Sequence, residues 1–387
     1  MRGSLKNISK FFVIFFFVFA IYALFAPKYY QIRHYFVPLA DSILHGRIDI
    51  APNGTVLNEL VPVDGKYFVV YPPAPAILAL PFVGLLGPKV NQVWIEIFYA
   101  SAAIAFFYFL TEKFFKECWI RIALTVILAF GTNYFYTALE GTSWFFSHIS
   151  VVFFLVLALL AAVKKKPLLA GMLFVGVFLS RLPAGLTFPA VLYLLFQGES
   201  KKLYLKNLIL FFAPVVLGSA LFTLYNFARF GSIFQTGYSL IPGVLQESWF
   251  QNGIFSVLYI PRNLWYMFLQ MPKIIGHFPY FLPDQIGMAI WLTTPALLLI
   301  FFARSKNRIV LWFILASILA AIPSLVHGTP GFSQFGVRFL LDYIVLLVLI
   351  LGFAYRRLGP TIVAPFVGVS LLINFWAVIL HYSLGLF

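Results

Sequence analysis

Apolar runs of 17 or more residues recur along the chain, separated by short turns dense in lysine and arginine. This is the pattern of a polytopic α-helical membrane protein. It predicts spans near 9–26, 92–111, 122–139, 144–163, 168–180, 183–196, 207–227, 286–303, 309–326, 338–355 and 361–381. The expected fold class is therefore an all-α polytopic membrane protein of about eleven transmembrane helices, organised as 1–227 (spans 1–7) and 228–387 (a long loop, 228–285, then spans 8–11).

Two stretches interrupt the regular pattern. "YPPAPAILALPFVGLLG" (71–87) is apolar but holds four prolines, and counting it as a crossing would invert every later turn. It is predicted as a half-buried segment that does not span. "PLLAGMLFVGVFLSRLPAGLTFPAVLYLLFQ" (167–197) lies between two basic turns and is shorter than the roughly 40 residues a full hairpin needs. Its apex, "SRLPAG", should be sunk, which puts Arg181 in or near the hydrocarbon. There it needs a partner or a polar cavity.

Composition agrees, since 62% of residues are hydrophobic and only 10% charged. These values exclude a soluble globular domain and a disordered chain. The formal charge of +15 is read through the positive-inside rule rather than as a nucleic-acid footprint. With the N-terminus inside, the short cytoplasmic segments carry 17 of 27 basic residues and three of 12 acidic ones. The first run resembles a signal peptide but lacks a small-residue cleavage site, so an uncleaved first span is expected. Cys118, the single cysteine, excludes an internal disulfide. "NGT" at 53–55 matches a glycosylation sequon. No HExxH, CxxC, Walker loop or GxGxxG is present.

The remaining polar residues gather in the external loops. "YFVPLADSILHGR" (35–47), wound as a helix, puts Phe36, Leu39 and Ile43 on one face and Asp41 and His45 on the other. An extended stretch follows around "VPVDGKYFVVYPP", and 228–285 reads as a folded interfacial segment rich in aromatics. The external or sunken acids are Asp41, Asp49, Glu59, Asp64 and Glu140. The bases are Arg33, Arg47, Lys66, Arg181, Arg229 and Arg338, with His34, His45 and His148. Such a set can hold a phosphate by several cations while a carboxylate takes a proton beside it.

"LADSILHGRI", "VDGKYFVVYPPAPAILALPF", "SRLPAG", "YNFARFGSIFQTGY" and "FGVRFLLDYIVLL" occur in that order. Together, over about residues 9–355, they resemble the polytopic GT-C glycosyltransferases, in particular bacterial members related to protein O-mannosyltransferases and aminoarabinose transferases. The resemblance implies external juxtamembrane helices and inverting transfer of a sugar from a polyprenyl-phosphate-linked donor to an acceptor hydroxyl. It further implies a plasma- or inner-membrane enzyme with an extracytoplasmic site. Asp41 is the expected general base, with Glu140 a second catalytic acid. Arg181, Arg229, Arg338 and Lys66 are expected at the donor phosphate, and His45, Asp64, Tyr71, His148 and Tyr238 around the substrates. No DxD follows the first span, so the resemblance carries no metal site. A transporter or flippase for a lipid-linked sugar, and an O-antigen ligase- or polymerase-like enzyme, are the alternative readings.

Overall fold

A computed structural model describes residues 2–27, 33–51, 59–199, 201–304 and 307–386; the 53–55 sequon lies outside them. The chain begins with α1 (Arg2–Phe25) and the short α2 (Phe36–Leu44). A hairpin follows, β1 (Leu60–Val63) and β2 (Lys66–Val69), then α3 (Ala74–Leu86) and α4 (Gln92–Thr111). Next come α5 (Cys118–Phe130), α6 (Tyr134–Thr137), α7 (Ser143–Val163), α8 (Pro167–Ser180), α9 (Phe188–Phe196) and α10 (Lys201–Phe230). Residues 231–289 form a crown segment built on α11 (Ile260–Phe268) and the two-residue strands β3 (Lys273–Ile274) and β4 (Phe281–Leu282). The chain closes with α12 (Ile290–Thr293), α13 (Arg308–Val326), α14 (Ile344–Leu358) and α15 (Pro360–Val378).

Six of the described helices are long and apolar enough to cross a membrane: 7–25, 92–111, 143–163, 203–230, 308–326 and 360–383. The other expected spans are shorter or broken. The stretch 286–303 is not one helix; α12 stops at Thr293, and Pro295–Phe302 continues as a 3-10 helix. Pro295 cannot donate to a continuing α ladder. The freed groups find partners on α15, where Asn374 Nδ2 donates to the Thr293 carbonyl at 2.7 Å and Ser370 Oγ accepts from Ala296 N–H at 3.0 Å. The stretch 338–355 likewise opens as a 3-10 turn, Arg338–Asp342, before α14. Helix α3, with 13 residues, is about 20 Å long, too short to cross, as the prolines of 71–87 predict.

The 167–197 hairpin is as shallow as its length predicts. Helix α8 has 14 residues, Arg181 follows in extended conformation, and a 3-10 turn leads into α9. Small residues let α8 approach its neighbours: a Cβ on Gly171 would lie 2.2 Å from the Phe211 carbonyl of α10. One buried apolar cluster runs from Val18 in α1 to Val378 in α15.

The loops at one end of α4 are tied together by hydrogen bonds, most of them between a side chain and the backbone. Phe36 N–H donates to Gln92 Oε1 (3.2 Å), Gln92 Nε2 to the Gly141 carbonyl (2.7 Å), and Gly141 N–H to Glu96 Oε2 (2.8 Å). Tyr35 N–H reaches Ser143 Oγ (2.7 Å), and Ser143 N–H the Arg33 carbonyl (3.0 Å). Gly141 has φ +73° and a Cβ there would strike Val93, so only glycine fits this close approach. These bonds set Arg33 and Trp144 side by side.

Candidate active site

The site is built where the turn before α7, the β1–β2 hairpin, the α8–α9 break and the entry to α14 meet. Trp144, in the first turn of α7, is its centre. The Arg33 guanidinium lies 5.0 Å from the Trp144 ring and that of Arg338 lies 5.4 Å from it. Trp144 Nε1 donates to the Tyr71 hydroxyl, which in turn donates to Glu59 Oε2 at 3.1 Å. Tyr35 stacks on Tyr71 with centroids 6.4 Å apart.

Burial pushes the Glu59 carboxyl up to about 7, against the pull of Arg33, the Tyr71 hydroxyl and Arg338. The balance leaves a carboxyl able to exchange a proton near neutral pH. Burial, and then Glu59, raise Tyr238 to about 12, so this phenol of the crown stays protonated beside the same carboxylate. His327, packed edge-on against Tyr238, Phe250, Phe255 and Phe339, is lowered by burial to about 4 and is neutral.

Arg181 and Arg338 flank Phe339, at 5.2 and 5.5 Å from its ring. Arg181 Nε donates to both carboxylate oxygens of Asp342, at 2.8 and 3.1 Å. Asp342 also accepts from His148 Nδ1 at 2.9 Å. Arg338 Nη1 donates to the Phe332 carbonyl at 2.6 Å and reaches Gln334 Oε1 at 3.4 Å. The Nε atoms of Arg33 and Arg338 are buried without a hydrogen-bond acceptor among the described residues. Three guanidiniums against two carboxyl groups leave the site positive, suited to an anion.

Of the residues singled out from sequence, the structure brings together Arg181, Arg338, Tyr71 and Tyr238, with His148 behind them through Asp342. The others lie elsewhere. Asp41 is on the wetter face of α2, and its one ion-pair neighbour among the described residues is His45 (3.6 Å). His45 is exposed and binds the Asp41 carbonyl with Nδ1 at 2.8 Å. Asp64 and Lys66 are exposed at the tip of the β1–β2 hairpin. Asp64 (φ +48°) and Gly65 (φ +73°) are its two turn residues, a conformation favoured by Asp-Gly, so Asp64 shapes the turn.

Arg229 is buried and its donors serve the fold. It bonds the Val69 carbonyl and Asn226 Oδ1, and its guanidinium lies 3.9 Å from the Tyr225 ring. Glu140 belongs to a separate buried cluster, accepting from Tyr382 Oη at 2.8 Å with His381 Nε2 at 3.6 Å.

Arg33, Glu59, Trp144 and Asp342 are the residues sequence reasoning passed over. Arg33 and Glu59 show only as members of the external polar set. Asp342 carried a usable signal, a lone carboxylate inside the apolar run 339–351, which demands a partner in the hydrocarbon. Among the described residues no three of His, Cys, Asp and Glu gather as a metal site.

No family model matches the chain, and no curated protein matches it. A solved structure does: the crystal structure of ArnT from Cupriavidus metallidurans bound to undecaprenyl phosphate. Its TM-score is 0.51 at 11% identity, over 99% of this chain and 63% of that one. The likeness carries the fold. This chain shares the helical fold of that neighbour and spans less than two thirds of its length.

Proposed function

We propose that the protein is a membrane glycosyltransferase that takes a sugar from a polyprenyl-phosphate-linked donor and passes it to an acceptor hydroxyl. The observation that carries this reading is the convergence of Arg33, Arg181 and Arg338 with Glu59 around Trp144 and Phe339. It occurs in a fold shared with a protein crystallised on undecaprenyl phosphate. The proposed location is the extracytoplasmic side of a plasma or inner membrane, a reading supported by the bias of basic residues toward the turns at the opposite end.

In the proposed step the acceptor oxygen attacks the anomeric carbon as the carbon–oxygen bond to the lipid phosphate breaks, with inversion. The leaving group is a phosphate, stable as an anion, so no general acid is required. Arg181 and Arg338 offset the charge that develops on it. The acceptor proton passes to a carboxylate, and Glu59 is better placed for this than Asp41, because the arginines and Tyr71 surround Glu59. Tyr71 and Tyr238 border the sugar.

The test is purified protein in vesicles with polyprenyl-phosphate-linked hexoses and pentoses carrying a radiolabelled sugar. Release of the label from the lipid, lost in Arg181→Ala and Arg338→Ala, is expected. Failure of undecaprenyl phosphate itself to bind the wild-type protein, measured with the same vesicles, overturns the reading.

A further inference from the structure

Helices α1 and α5 touch at one end and part toward the other. Where they touch, Tyr22 Oη donates to the Ala129 carbonyl at 2.6 Å, and Phe17 meets Phe130 edge to face with ring centroids 6.3 Å apart. From there toward the basic turns an open slot of about 180 Å³ runs between them. Its wall includes Val13 and Phe17 of α1, Tyr108 of α4, and Ile122, Val126 and Ala129 of α5. The hydroxyl of Thr125, also in the wall, is turned back on the Arg121 carbonyl at 2.8 Å, so it offers an occupant no donor. A slot so lined stays dry and takes an apolar guest.

The mouth has the opposite character. Lys10 and Arg121 stand one turn before Val13 and Thr125 on their helices, and both reach one oxygen. Glu112 Oε1 lies 3.5 Å from Lys10 Nζ and 3.3 Å from Arg121 Nη1. Two cations share one carboxylate, which leaves a surplus of positive charge, and the exposed Lys113 beside Glu112 adds to it. The Arg121 guanidinium is held over the Tyr108 ring at 5.7 Å, and its Nε is buried without a hydrogen-bond acceptor among the described residues.

We propose that this slot binds an anionic phospholipid from the leaflet at the basic end of the bundle, with one acyl chain between α1 and α5 and the headgroup phosphate on Lys10 and Arg121. The occupant follows from a charged mouth on an apolar slot of matching length. Helix α1 rises about 10 Å from Lys10 to Phe17, and α5 about 12 Å from Arg121 to Ala129. A chain that starts at the cations and ends against the Phe17–Phe130 contact fills that length. A zwitterionic headgroup brings its own cation to a mouth already in surplus, whereas an anionic one balances it. Helices α1 and α4 are long and apolar enough to span, and Val13 and Ile122 are exposed, so the slot opens on hydrocarbon. Glu112 and Gln92 mark opposite ends of α4, so this site is remote from Arg33 and Trp144 and independent of the chemistry there.

The test is native mass spectrometry of the full-length protein, released from detergent micelles that hold phosphatidylglycerol and phosphatidylcholine of identical acyl chains in equal amounts. The wild type should keep phosphatidylglycerol in preference to phosphatidylcholine. Lys10→Ala and Arg121→Ala should each lower that preference about fivefold. Val13→Trp and Ile122→Trp fill the slot from exposed positions and keep both cations; each should abolish the retained lipid. Leu168→Trp, on the exposed face of α8, should not. Equal retention of the two lipids by the wild type overturns the proposal, and that comparison needs no variant to fold. So does a preference that survives both tryptophans, which would assign it to the basic turns at large. A lipid-free dimer that Val13→Trp dissolves would make a second copy the occupant and overturns the proposal as well. Failure here leaves the glycosyltransferase reading standing, because no sugar donor takes part.

Discussion

Glu59 and Asp41 show how a residue's promise changes between sequence and structure. Asp41 is conspicuous because an amphipathic helix presents it at a fixed spacing from His45. Glu59 sits in an aperiodic stretch, and its surroundings come from 12 to more than 80 residues away in sequence. No local pattern encodes such a meeting. Glu59→Gln should lower kcat by roughly 10²–10⁴-fold, the usual reach of a general base. Donor KM should hold, and Asp41→Asn should leave the rate near wild type; steady-state kinetics with labelled donor decides. Equal losses in the two variants would return the base to α2. The pH profile gives an independent check. A base must be deprotonated to accept, so a carboxyl at about 7 predicts a wild-type rate that climbs as pH rises through that value. The Gln variant should lack this limb. Asp342 acts through Arg181, whose Nε it holds. Asp342→Asn removes the charge and should raise donor KM about tenfold or more, with a smaller change in kcat. A loss confined to kcat would mean that Asp342 does not aim the guanidinium at the phosphate.

At the scale of elements the local signals were largely sufficient. The proline-rich α3 and the shallow hairpin around Arg181 each followed from residue type and length, whereas the β1–β2 hairpin turning at Asp64-Gly65 lay inside a stretch read simply as extended. The break after α12 did not, although Pro295 marked it. Hydropathy over 286–303 is continuous, and the carbonyl of Thr293 survives in an apolar setting only because Asn374 arrives from α15. Asn374→Leu strands that carbonyl and should destabilise the protein by about 1–3 kcal/mol, read as a lower thermal midpoint in detergent. An unchanged midpoint would show that the broken segment satisfies itself. Gly171 is a second element-level constraint. Gly171→Ala drives a methyl into the α10 backbone and should cost about 1–3 kcal/mol by the same assay.

For the whole molecule, α4 serves as a ruler. Its first residue, Gln92, is bonded into the loops that hold Arg33 and Trp144, and its 20 residues reach about 30 Å to Glu112. There Lys10 and Arg121 pair with Glu112 (3.5 and 3.3 Å), and Arg356 pairs with Glu117 (3.0 Å). Basic turns scattered through the sequence therefore meet at the end of the bundle opposite the arginine site. The positive-inside rule assigns that basic end to the cytoplasm, so the site should face the other compartment. Cys118 is exposed at the basic end and Asn252 at the crown, which makes the assignment measurable. In intact cells a membrane-impermeant maleimide should modify Asn252→Cys in a Cys118→Ser background and spare wild-type Cys118. In inside-out vesicles the order should reverse. Labelling of both from one side would mean that the two ends do not lie across the bilayer, and the charge bias would then lose its bearing on where the chemistry happens.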